Sequence, residues 1–184
     1  MIFRTTLQVL FRLMLVLAML TGTGPAAGAA VDYLLEQQLQ RRLELASGGD
    51  PEAEYEVGDM YLKGRGAYVD YAQALLWFRR AAKFGHTKAE FKLGYMYLRG
   101  MGVPQDSARA FALFSASAGK GYPPAQFYLA QMYALGQGVD RSSVLALEWL
   151  TRSLQGGYRP HAEELRKIRR MLDTIMHRTE QPRN

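Results

Sequence analysis

The sequence predicts an all-α fold built as a row of stacked helical hairpins. Three observations predict it. One pattern returns every 36 residues, without insertion or deletion, across residues 50–158. Within each copy, apolar residues recur at helical spacing. Glycines close each helical stretch, where a chain must reverse. The register is read from Ala53, Ala89 and Ala125, from Met60, Met96 and Met132, and from Tyr61, Tyr97 and Tyr133. Gly64 and Gly66 return as Gly100 and Gly102, then as Gly136 and Gly138. A fixed period in this range marks an array of supersecondary units. Arrays present extended surfaces to partners, so the expected function is binding rather than catalysis.

The elements follow in order. Residues 1–30 read as a secretory signal peptide outside the fold. Arg4 and Arg12 precede the apolar run Leu13 to Leu20, and no acidic residue occurs before Asp32. Ala27-Gly28-Ala29 or Gly28-Ala29-Ala30 supplies the small-residue cleavage tripeptide. The run is short of the roughly 20 residues that a membrane span needs. Residues 31–49 form an N-terminal cap. They align with the second half of a unit, and Leu35, Leu39, Leu43 and Ala46 give them an apolar stripe.

The repeats occupy 50–86, 87–122 and 123–158. In the middle one, Thr87 and Glu90 have the spacing of a capping box, which satisfies two orphan backbone donors at a helix start. Ala89, Leu93, Met96 and Tyr97 form one apolar face, and Gly100 and Gly102 turn the chain. Asp106 or Ser107 caps a second helix bearing Ala110, Phe111, Phe114 and Ala118. Gly58, Gly94 and Ala130 share one mid-helix column. A glycine there costs about 1 kcal/mol against alanine, so close approach of a neighbouring helix is expected to offset it. Trp77, Phe78, Phe114 and Trp149 are expected to fill the space between helices.

Residues 159–184 form a basic C-terminal capping helix and tail. Leu165 and Ile168 fall in the Leu93 and Met96 columns, but Arg166 and Arg169 fall where the other units carry glycine and tyrosine. Bulky charge at those places ends the array, and the cap presents a polar outer face. With both caps, eight helices are expected.

The string Ala89 to Val103, A-x-x-x-L-G-x-M-Y-x-x-G-x-G-V, resembles the signature of the Sel-one-like repeat, a relative of the tetratricopeptide repeat. The A-x-x-W-[FL]-x-x-A pattern from Ala74 to Ala81 fits it as well. The resemblance implies a right-handed α–α superhelix with a concave binding side. It also implies the roles of exported relatives, which regulate sensor proteins or help assemble envelope machines. Departures are Ala67 in the valine column, Ala130 in the glycine column, and Ser153-Leu154 in place of Ala81-Ala82.

Columns held constant across the units read as packing positions, and columns that vary read as surface. On the first helices the varying columns are Glu56, Lys92 and Tyr128; Asp59, Tyr95 and Gln131; and Lys63, Arg99 and Leu135. Their i, i+3, i+7 spacing puts them on one helix face. The candidate partner-binding strip is therefore Glu56, Asp59, Lys63, Lys92, Tyr95, Arg99, Tyr128 and Gln131, with aromatics and arginine as the expected anchors.

Composition narrows the function further. The 184-residue chain carries a formal charge of +6 and has no cysteine, so it holds together without disulfides. Residues 31–158 are nearly balanced, with 14 basic against 13 acidic residues, and the excess lies after residue 158. That distribution speaks against a nucleic-acid face. His86, His161 and His177 are too scattered for a metal site, and H-E-x-x-H is absent. The acids Asp50, Glu52, Glu54, Glu56 and Asp59 lack calcium-loop spacing and read as complements to a helix dipole. No catalytic, cofactor-binding or metal-ligating residue is nominated. The expectation is a periplasmic, non-enzymatic scaffold whose partner is another envelope protein. Its rivals are a cell-wall enzyme acting on β-lactams or peptidoglycan, and an adaptor tethered by an uncleaved signal segment. Membrane contact is expected only through that segment or the basic C-terminal helix.

Overall fold

The structure is a computed structural model that describes residues 25–179. The signal-peptide reading therefore lies mostly outside the described residues. Within them are eight helices and no strand: α1 Pro25–Ser47, α2 Pro51–Lys63, α3 Tyr71–Lys83, α4 Thr87–Arg99, α5 Ser107–Gly119, α6 Pro123–Leu135, α7 Ser143–Gln155 and α8 Ala162–Thr179. α1 begins at Pro25 rather than at Val31, so the residues of both cleavage tripeptides are helical. None of these helices is long and apolar enough to cross a membrane. The described residues divide into two compact units, one within residues 1–74 and one within 75–184, with the boundary inside α3.

The three repeats share their backbone joints. Asp70, Asp106 and Ser142 each donate a backbone N–H to the carbonyl of Tyr61, Tyr97 and Tyr133 at 3.0 Å. The same three residues cap the second helices. Asp70 Oδ1 accepts from the Gln73 N–H at 2.9 Å, Asp106 Oδ1 from Arg109 at 2.9 Å, and Ser142 Oγ from Leu145 at 3.3 Å. The tyrosine column thus marks a backbone joint, while the rings themselves meet different neighbours. Tyr133 lies edge-on to Phe111, whereas the Tyr97 hydroxyl accepts a 2.8 Å hydrogen bond from Arg79.

The capping box expected at α4 does not form. His86 is the N-cap, and its Nδ1 accepts from the Ala89 N–H at 3.1 Å. Glu90 turns away and takes Lys120 at 2.6 Å, while the same ammonium donates to the Gly85 carbonyl at 2.9 Å. A nearly buried carboxylate gains more from a cation than from one neutral amide, so the ion pair wins.

In residues 75–184, α4 packs on α5, α5 on α6, and α6 on both α7 and α8. Gly94 serves the close approach expected of it. A methyl group there would sit 3.0 Å from Phe114 Cε1 and 3.2 Å from Leu113 Cβ. Phe114 is fully buried, stacked on Tyr128 at 5.2 Å and tilted against Phe91 at 5.6 Å. In the next repeat both partners change size in opposite senses. Ala130 stands for the glycine and Leu150 for the phenylalanine, within a core that also holds Phe127, Ala134 and Ala146. Second helices are tied to first helices by buried hydroxyls, Ser117 Oγ to the Thr87 carbonyl at 2.9 Å and Ser153 Oγ to the Pro123 carbonyl at 2.7 Å.

Gly138 does more than tighten a turn. It has φ +74°, and a Cβ there would lie 2.3 Å from the Ser107 carbonyl oxygen, at the start of α5. The turn of one repeat thus rests on the helix start of the repeat before it. In residues 1–74, Gly66 meets the Leu35 carbonyl in the same way.

α8 docks through its start. The Tyr158 ring stacks on Phe127 at 4.9 Å, and its hydroxyl donates to Glu164 Oε1 at 2.6 Å. Glu164 Oε2 accepts the His161 N–H at 2.8 Å, and Ile168 packs on the α6–α7 core. Leu165, expected to be buried with the Leu93 column, is 53% exposed, because among the described residues no further helix follows to cover that side of α8.

Candidate functional site

The eight strip residues separate into two groups. Glu56, Asp59 and Lys63 belong to residues 1–74. There Glu56 pairs with Arg42 of α1 at 2.8 Å, while Asp59 is buried and takes both Lys63 and Arg65 at 2.7 Å. Asp59 is therefore a packing residue, contrary to the expectation that its varying column faces solvent. The two cations that close over it supply the opposite charge that a buried carboxylate needs. These three residues serve their own unit.

The remaining five lie in residues 75–184, and three of them converge. Between α4, α6 and α8 is a cleft of about 440 Å³. Leu98 and Arg99 line it from α4, and Tyr128, Gln131 and Leu135 line it from α6. The turn residues Gln105 and Gln137 contribute amides, and α8 contributes Lys167 and Arg170. Lys92 does not line it. Tyr95 stands behind the wall, edge-on to Tyr128 at 5.8 Å and beneath Arg99, whose guanidinium is 5.6 Å from its ring centre.

Tyr128 has a double role. One side forms the cleft wall, and the rest packs against Phe91, Tyr95, Phe114 and Phe127 at ring distances of 5.2–5.8 Å. Burial pushes its hydroxyl up to about 12, with smaller contributions in the same direction from Tyr95 and Glu164. The hydroxyl is thus neutral, and the charges in the cleft come from Arg99, Lys167 and Arg170. Among the described residues, no Asp or Glu lines the cleft. Glu163 lies just outside, 3.6 Å from Lys167 and largely exposed.

Lys167 and Arg170 belong to the basic C-terminal helix. Their place was legible in the register. Extending the 36-residue period into α8 puts Lys167 in the column of Tyr95 and Gln131, and Arg170 in that of Leu98 and Ala134. α8 thus continues the row of first helices and completes the cleft.

The family model for the Sel1 repeat matches residues 51–86, 87–122 and 123–158. The chain belongs to the Sel1-repeat family. Sel1-repeat proteins typically act as protein–protein interaction scaffolds. Among solved structures, the array is similar to c5321, described as a protective antigen present in uropathogenic Escherichia coli strains and displaying an SLR fold. That match has 38% identity and a TM-score of 0.63, covering 65% of this chain and 26% of the other. A Sel1 repeat protein from Oxalobacter formigenes is similar at 32% identity and a TM-score of 0.62, covering 74% of this chain and 98% of the other. No curated protein matches the chain.

Proposed function

We propose that this Sel1-repeat protein is an exported, non-enzymatic scaffold that holds another envelope protein in the cleft between α4, α6 and α8. The scaffold class of the family supports the binding role. The observation that carries the assignment to this cleft is the convergence of Arg99, Tyr128 and Gln131 from two repeats with Lys167 and Arg170 from the terminal helix. Such a concave wall, with aromatic and arginine anchors beside apolar surface, suits a protein partner. Export is supported by the layout of residues 1–30, with basic residues, an apolar run and small residues in that order.

Photo-crosslinking in the native envelope tests the site. A crosslinking residue placed at Gln131 is expected to trap one discrete partner. The same residue at Val144, on α7 and 75% exposed, is expected to trap none. Equal adducts at both places, or none at Gln131, would refute the assignment. Export is checked by the first residue of the cellular protein. Ala30 or Val31 means cleavage, whereas Met1 means a retained anchor.

A further inference from the structure

We infer that the cleft receives an extended acidic segment of the partner, with a carboxylate set between Arg99, Lys167 and Arg170. This rests on the reading of the cleft as the partner site. Its first support is charge. Arg99 from α4 and Lys167 and Arg170 from α8 line one concavity, and among the described residues no carboxylate lines it with them. Guanidinium groups pair with carboxylates through two parallel hydrogen bonds.

The second support is the neutral lining. Gln105, Gln131 and Gln137 each offer a donor and an acceptor, which an extended peptide backbone can answer with its own N–H and C=O. A free phosphate or a lipid headgroup has no use for that alternation. Leu98, Leu135 and the Tyr128 ring provide an apolar wall for a side chain next to the acid. The pairing of Lys167 with Glu163 does not block the site. It spans 3.6 Å with Glu163 largely exposed, and such pairs are weak enough to exchange for a better partner.

The test uses the full chain and a dye-labelled ten-residue peptide of Glu, Leu and Ser, read by fluorescence anisotropy. The Glu peptide is expected to bind at least tenfold more tightly than the same peptide with Gln for Glu. It should weaken as salt rises. Replacing Arg99, Lys167 and Arg170 together by Gln should cost tenfold or more while far-UV circular dichroism and melting stay unchanged. Equal binding of the two peptides, or full binding by the triple variant, overturns the inference. So does preferential sedimentation of the protein with phosphatidylglycerol vesicles, or binding of inorganic phosphate as tight as the Glu peptide. If the triple variant melts early, Arg99→Gln alone carries the same expectation with a smaller loss. A discrete crosslink from Gln131 without preference for the Glu peptide would retain the partner site and reject only its acidic ligand. Loss of both results would reject the site itself.

Discussion

Gly94→Ala should destabilise the protein even though alanine is the better helix former. The propensity gain is about 1 kcal/mol. Against it stands the new methyl, which would lie 3.0 and 3.1 Å from Phe114 ring carbons and 3.2 Å from Leu113 Cβ. These distances require the neighbour to yield by a few tenths of an ångström. Phe114 has little room to do so, being fully buried and held between Tyr128 and Phe91. Overpacking costs about 1–3 kcal/mol, and a boxed aromatic belongs in the upper half of that range. The net loss is then about 1–2 kcal/mol. For a chain of this size, each kcal/mol moves the melting midpoint by about 2–4 °C. The third repeat indicates the remedy, since Ala130 is accommodated there beside Leu150. Phe114→Leu alone should cost about 1–2 kcal/mol, as it leaves an unfilled space. Together with Gly94→Ala, the pair should lose less than the sum of the singles by about 1 kcal/mol or more. Thermal unfolding followed by circular dichroism at 222 nm on the four proteins measures the coupling. A Gly94→Ala midpoint at or above that of the parent, or strict additivity in the double variant, would refute the reasoning.

Two further outcomes follow from the same structure. Gly138→Ala should cost about 3 kcal/mol or more, because the left-handed backbone and a 2.3 Å approach to a carbonyl oxygen act together. Gly121→Ala, with φ +84° but nothing within 4 Å, should cost only the conformational part, about 1–2 kcal/mol. Equal losses in urea unfolding would refute the contact. For Tyr128, the folded value of about 12 exceeds the ordinary value of 10, so the folded state holds that proton more tightly. Its stabilising contribution is complete below pH 10 and is lost as pH rises from 10 towards 12. The parent should therefore lose stability relative to Tyr128→Phe as pH rises from 10 towards about 12. Melting curves that stay parallel across that range would contradict the burial of the hydroxyl.

The repeat register, the helix–turn–helix unit and the capping glycines were legible in the chain, because each is written in residues close together along it. Asp106 announced its helix, and Gly94 announced a close neighbour. The capping box misled because Thr87 and Glu90 have the right spacing locally, while Lys120, 30 residues further on, offers Glu90 a stronger partner. Asp59 misled for a similar reason. Variation in its column was read as exposure, yet Lys63 and Arg65 make its burial tolerable. The sequence marked α8 as basic, and the tertiary structure set Lys167 and Arg170 beside Arg99 in one cleft.

By itself, then, the sequence determined the helices, their order and the joints between them, since helical period and turn chemistry act over a few residues. Only the tertiary structure decided which long charged side chains meet. Arg99 and Arg170 line one cleft because α4 and α8 both lie against α6, contacts between residues far apart in the chain that no local pattern encodes.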